Sequence, residues 1–139
     1  MLSFLSKYQD FALLIARLGI GLSYIFVHGG KKLIAGPERW ASTGKAMSNL
    51  GIEFFPVFWG FMAAFSETIG GLFLILGLFT RPAAALILIT MLVAGIRHYS
   101  DGDPLSKIAY PLEMAMIMIL FLFISAGKYS LDYKFWRKG

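Results

Sequence analysis

The sequence contains no cysteine, which excludes disulfides, thiol chemistry and thiolate-bound metal or iron–sulfur centres as intrinsic features. Charge is scarce as well: 15% of the 139 residues are Asp, Glu, Lys or Arg and 58% are hydrophobic, against about 25% and roughly 45 to 50% in a soluble domain. That surplus of apolar surface needs lipid to cover it. Internal repeats, low-complexity runs and Pro/Gly/Ser-rich linkers are missing, so a single domain is expected at this length. Also missing are the alternating segments of about ten residues that mark a membrane β-barrel. Flavin, nicotinamide and iron–sulfur motifs are absent too, so any redox chemistry must draw its electrons from a bound quinone or haem, or from a partner protein. The segment Met1 to Asp10 carries only Lys7 as a cation and lacks an early A-x-A cleavage site, so the first apolar block is expected to be a retained membrane helix instead of a signal peptide.

What is present is hydrophobic length. Crossing a hydrocarbon core of about 30 Å takes roughly 20 mostly apolar residues in a helix. Four blocks approach this: helix 1 from about Phe11 to His28, helix 2 from Pro56 to Phe79, helix 3 from Pro82 to His98 and helix 4 from Ala109 to Gly127. Pro56, Pro82 and Pro111 fall at or near the expected helix starts, where a missing N–H costs little. The fold class expected is therefore all-α, a membrane-embedded four-helix bundle, because only intra-segment hydrogen bonding satisfies a backbone in lipid. Thr80-Arg81 is all that joins helices 2 and 3, which makes them antiparallel neighbours. The loop from Gly29 to Phe55 is long, and Pro37 to Leu50 within it reads as a short interfacial helix with Trp40, Met47 and Leu50 on one side.

The formal charge of +5 is spread between apolar blocks and does not line one face, so anionic lipid headgroups are the expected partner, and not nucleic acid. Lys7, Arg81, Lys128, Lys134, Arg137 and Lys138 fall on the side of the termini, and Lys31, Lys32, Arg39, Lys45 and Lys107 on the other. This is nearly a tie. The C-terminal cluster abutting a span places the termini in the cytoplasm of a multi-pass cell-membrane protein.

A charge at the bilayer centre costs at least about 2.5 kcal/mol on insertion scales, so each one needs a partner or a purpose. Arg17 lies in helix 1, Glu67 at the middle of helix 2, Arg97 and His98 at the end of helix 3, and Glu113 one turn into helix 4. Arg17, Gly21, Tyr24 and His28 form one stripe of helix 1, and Gly60, Ala64, Glu67 and Gly71 form one of helix 2. The two stripes are expected to pack together with Arg17 and Glu67 within roughly 8 Å in depth, and with His28, Arg97, His98, Tyr110 and Glu113 in a second layer nearer the long loop. Buried ion pairs that only fix helix register are the plain reading. The sharper one is a polar cavity for a small molecule or for protons. Paired axial ligation of haem by His28 and His98 is a weaker alternative. Met114, Met116 and Met118 are spaced around helix 4 and read as packing or lipid-facing residues, with no metal site implied.

Across nearly its whole length the sequence resembles the DoxX family of small four-helix membrane proteins. The likeness is carried by Arg17-Leu18-Gly19-Ile20-Gly21, His28-Gly29-Gly30-Lys31-Lys32-Leu33, Trp40, Glu67-Thr68-Ile69-Gly70-Gly71-Leu72 and Leu76-Gly77-Leu78-Phe79-Thr80-Arg81-Pro82-Ala83-Ala84. Met91, Ala94 and His98, then Tyr110-Pro111-Leu112-Glu113 and Gly127-Lys128-Tyr129-Ser130-Leu131-Asp132, continue it. Ala126 departs from the second glycine or proline common in that closing stretch. The resemblance implies an association with membrane-bound, quinone-linked oxidation, including a subunit of a thiosulfate-to-quinone oxidoreductase, and with resistance to quinones and oxidative stress.

The expected site follows from both readings. Glu67, His98 and Glu113 exchange protons as candidate catalytic groups. Arg17, Tyr24, His28, Arg97 and Tyr110 surround a quinone-like molecule, with His28 or Tyr110 bonding one oxygen, Arg17 holding Glu67 ionised and Arg97 doing so for Glu113. Trp59 and Phe65 line an apolar entrance. A soluble redox partner protein supplies electrons, and homo-oligomerisation is compatible with the sequence. A non-catalytic anchor for a soluble oxidoreductase, docking through the loop Gly29 to Phe55, is the main rival. A transporter is disfavoured because helix 4 is apolar from beyond Glu113 to Ser125.

Overall fold

The computed structural model describes residues 3–136, and all of the long elements in them are helices. Four are long and apolar enough to cross a membrane: helix 1 (Gln9–Ala35), helix 2 (Pro56–Leu76), helix 3 (Thr80–Ser100) and helix 4 (Leu105–Ile124). The chain is thus a multi-pass membrane protein in contact with the lipid bilayer. Arg137 and Lys138, counted above among the cations near the termini, lie outside the described residues.

Helix 1 runs a further two turns past His28. Its α-helical part Gln9–Ser23 opens into a π-helical turn, Tyr24–Gly29, and closes again over Gly30–Ala35. Gly29 does not stop the helix. It packs there, because a Cβ would lie 2.6 Å from Cβ of Glu67 and from the backbone nitrogen of Thr68. Helix 3 spans 21 residues where the sequence suggests a short segment. Helix 4 starts after Pro104, which leaves Pro111 inside it and buried, contrary to the expectation of a proline at the first turn. Its missing N–H removes a bond to the carbonyl four residues back.

Between helices 1 and 2 the expected surface helix is present as Pro37–Gly44, followed by a 3-10 turn Lys45–Leu50. Gly60 of helix 2 lies so close to the Trp40 carbonyl that no side chain could be added there without displacing backbone. The Trp40 indole stacks edge-on with Phe61 at 5.0 Å and donates from Nε1 to the Lys32 carbonyl at 2.9 Å. This surface helix therefore fixes the end of helix 1 to the start of helix 2.

Helix 3 packs against both helix 2 and helix 4, while helices 1 and 4 make few close backbone approaches. Side chains fill that seam: Tyr24, Met118 and Phe121 are buried in a core that Leu13, Ala16 and Ile20 of helix 1 cover. Met118 is fully buried whereas Met116 is 65% exposed, which divides the helix 4 methionines between core and lipid face as their spacing implies.

Candidate functional site

Glu67, at the middle of helix 2, is 1% exposed and holds the Lys32 ammonium with both oxygens, at 2.9 and 3.1 Å. Lys32 has a side chain 27% exposed. The pair forms because both side chains lean toward their own helix N-termini. In antiparallel neighbours, Glu67 then reaches toward the loop side of the membrane while Lys32 reaches down from it.

The π-helical turn sets the groups beside this pair. π-bulges frequently mark functional sites, since they re-aim side chains that a regular helix would direct elsewhere. Tyr24 and His28 emerge from this one, with ring centroids 5.8 Å apart. His28 Nε2 lies 2.8 Å from the Tyr110 hydroxyl across the seam to helix 4, and the two rings stack at 4.9 Å. Which of the two donates depends on the imidazole tautomer. The Tyr24 hydroxyl is buried and faces the Tyr110 hydroxyl, with which it shares at most a weak hydrogen bond, and it lies within electrostatic reach of Glu67. Glu67 likewise acts electrostatically on His28 and Tyr110. Lys32, Glu67, Tyr24, His28 and Tyr110 are thus one cluster, with Tyr110 36% exposed at the seam.

Other expected members lie elsewhere. Arg17 is fully buried but does not pair with Glu67. Its guanidinium donates to the carbonyls of Leu74 at 3.0 Å, Ile75 at 3.3 Å and Tyr129. The expected Arg17–Glu67 contact fails for the same reason that the Lys32 contact succeeds: Arg17 leans toward the N-terminus of helix 1, away from Glu67. Arg97 pairs with Asp101 at 3.6 Å and donates to the Ser42 carbonyl, and no contact joins it to Glu113. His98 Nδ1 lies 2.6 Å from Asp103, which also takes Lys107 at 3.2 Å. Glu113 is exposed, with no hydrogen bond or ion pair among the described residues. Glu67, His98 and Glu113 therefore occupy three different environments.

The Asp103 carboxyl outside the spans is held below its usual range, first by the hydrogen bond from His98 and then by that from Lys107. A lowered carboxyl stabilises the fold at pH above its ordinary value of 3.8, and that contribution is lost as pH falls through the lowered value, because the unfolded chain takes the proton first. Melting midpoints measured across the acid range should fall less steeply for Asp103→Asn than for the native chain. Identical slopes would show that this clamp does not couple to stability.

His28 Nε2 engages Tyr110, whereas His98 Nδ1 belongs to the Asp103 cluster. An open apolar groove of about 600 Å³ runs along Trp40, Phe55, Pro56, Val57, Phe58 and Phe61 at the loop end of helix 2. Trp59 and Phe65, expected to line such an entrance, are not among its walls. Trp59 instead donates from Nε1 to the Phe54 carbonyl.

Lys32 is the site residue that the sequence reading misses. The signal was available: continuing the stripe Arg17, Gly21, Tyr24, His28 by one more step of four reaches Lys32. The Gly29-Gly30 pair read as a helix end hid it.

The family model described as DoxX matches residues 12–99. An uncharacterized protein of Haemophilus influenzae is 32% identical over 141 residues, covering 96% of this chain and 98% of that protein. No solved structure matches the chain.

Proposed function

The chain belongs to the DoxX family, and from that premise we propose that it binds a quinone-like small molecule at the seam between helices 1 and 4 and exchanges protons with it. The observation that carries this reading is the buried Tyr24 hydroxyl, whose neighbour Tyr110 is already engaged by His28, beside an intramembrane Lys32–Glu67 pair. A buried hydroxyl with only a weak partner is incompletely satisfied, so a ligand oxygen that accepts its proton adds a stronger bond. The ring of such a molecule enters from lipid past Tyr110, its carbonyl oxygen accepts from Tyr24 or the His28–Tyr110 pair, and Glu67 relays a proton through Lys32 toward the loop side. Electrons come from a soluble redox partner. The cations near Ile124 support placing the termini in the cytoplasm of the cell membrane.

Short-chain benzoquinone titrated into protein in lipid nanodiscs, followed by intrinsic fluorescence, tests the proposal. Wild type should saturate, Tyr24→Phe should weaken binding about tenfold, as the loss of one buried hydrogen bond implies, and Glu67→Gln should alter its pH dependence. The absence of saturable binding to the wild type would overturn the reading.

The anchor reading draws support from one feature, the loop apex. Phe54 and Phe55 are 59% and 71% exposed there, next to the exposed Glu53. On that reading Glu67→Gln leaves partner capture unchanged and substitutions at Phe54 and Phe55 abolish it.

A further inference from the structure

Helix 4 carries its carboxylate on the wrong side for a monomer. Pro111, Ala115, Met118 and Phe121 face the core, whereas Glu113 is exposed on the opposite side. At spacings of three, four and seven its neighbours are Ser106, Ala109, Tyr110, Met116, Ile117 and Leu120; Tyr110 marks the edge of this face toward the helix 1 seam, and Met116 and Leu120 are 65% and 56% exposed. Nine residues from the start of a twenty-residue span, this face looks onto acyl chains. An unpaired carboxyl there is the arrangement that membrane proteins avoid, because intramembrane ionisable groups face a partner or a polar cavity. The described part of the chain offers it neither: Arg97 is taken by Asp101, Lys32 by Glu67 and Lys107 by Asp103.

We propose that the outer face of helix 4 is the contact between two copies of this chain, with the two Glu113 carboxyl groups hydrogen-bonded to each other at the centre. Both copies insert in the same orientation, so their twofold axis stands along the membrane normal and residues of equal depth meet themselves. A carboxyl that carries its proton both donates and accepts, so two Glu113 groups that hold at least one proton between them are complementary in a way that no pair of cations would be. Ala109 and Ser106, one and two turns toward the loop side, are small and allow the two helices to approach, and polar contacts of this kind hold membrane helices together. Gly95 of helix 3 meets helix 4 at Pro111 and Leu112, and Met116 and Leu120 stay exposed.

The cysteine-free chain makes the test direct, since one introduced thiol reports one position. Met116→Cys and Ala109→Cys should form disulfide-linked dimers in native membranes on mild oxidation. Ile89→Cys, 59% exposed on helix 3 at similar depth, should do so at least fivefold less. Adding Glu113→Leu to Met116→Cys should cut the yield at least fivefold, whereas Glu113→Gln, which still donates and accepts, should keep most of it. Leucine on a lipid-facing surface spares the fold, and elution as a single sharp species checks this. Equal yields from helix 3 and helix 4 thiols, a yield that ignores Glu113→Leu, or a monomer mass by native mass spectrometry of Glu113 protein in nanodiscs would each overturn the proposal.

Discussion

Arg17→Met should destabilise the chain by about 3 to 5 kcal/mol, the range expected when several buried acceptors lose one charged donor together. The guanidinium closes three carbonyls: those of Leu74 and Ile75 in the last turn of helix 2, and that of Tyr129 in the segment after helix 4. Carbonyls at a helix C-terminus carry the negative end of the helix dipole, so a buried cation is favoured there, and no water replaces it at that depth. Methionine matches the length of the stem but removes the donor from all three oxygens, leaving that of Leu74 only the Gly77 N–H. Lysine should recover less than half of the loss, because a single ammonium cannot reproduce the planar fork that spans two elements. Denaturation in mixed micelles, followed by tryptophan fluorescence, measures this. A midpoint for Arg17→Met equal to that of the native chain would remove Arg17 from the list of structural keystones.

The second large effect is asymmetric. Lys32→Met strands the Glu67 carboxylate at 1% exposure and should cost about 3 kcal/mol, since breaking a buried pair from one side leaves an uncompensated charge. Glu67→Gln should cost clearly less, because the Lys32 side chain is 27% exposed and can turn its ammonium toward the headgroups. The double variant Lys32→Met with Glu67→Leu should be more stable than Lys32→Met alone, as replacement of a whole buried pair by apolar groups often is. A cycle of these variants read by both stability and quinone titration separates two roles. If the double variant regains stability and still binds quinone, the pair only fixes register; if it regains stability without binding, the pair serves the ligand. Additive single effects would contradict the contact itself.

The four spans were legible because lipid imposes length and hydrophobicity, and a 20-residue apolar block has few alternatives. Their ends were not. Glycine and proline punctuate most chains, yet here Gly29 is a packing surface against Glu67 and Thr68, and Pro111 sits seven residues into a helix that begins after Pro104. The stripe Tyr24 and His28 could be read from helical spacing, and the structure joins those residues to Glu67 and Tyr110. Partner choice was harder. A depth estimate treats residues as points on rods, so it put Arg17 within side-chain reach of Glu67, while the tilt of side chains toward helix N-termini drew Arg17 to Leu74 and Glu67 to Lys32. The pairing of His98 with Asp103 depended on the conformation of a short loop that periodicity does not describe.

The segment after helix 4 also seals the other end of the bundle. Asp132 accepts from the backbone N–H groups of Phe79 and Thr80 at 2.7 and 2.9 Å, its own N–H donates to the Gly77 carbonyl, and Arg17 binds the Tyr129 carbonyl 112 residues downstream of itself. For a nascent chain this separation is time. At roughly 5 to 20 residues per second, helix 1 leaves the ribosome on the order of ten seconds before Tyr129 exists, so the translocon receives an arginine whose last acceptor has not yet been made. A chain that stopped shortly before Tyr129 would hold all four spans and still lack one of the acceptors that its buried arginine needs.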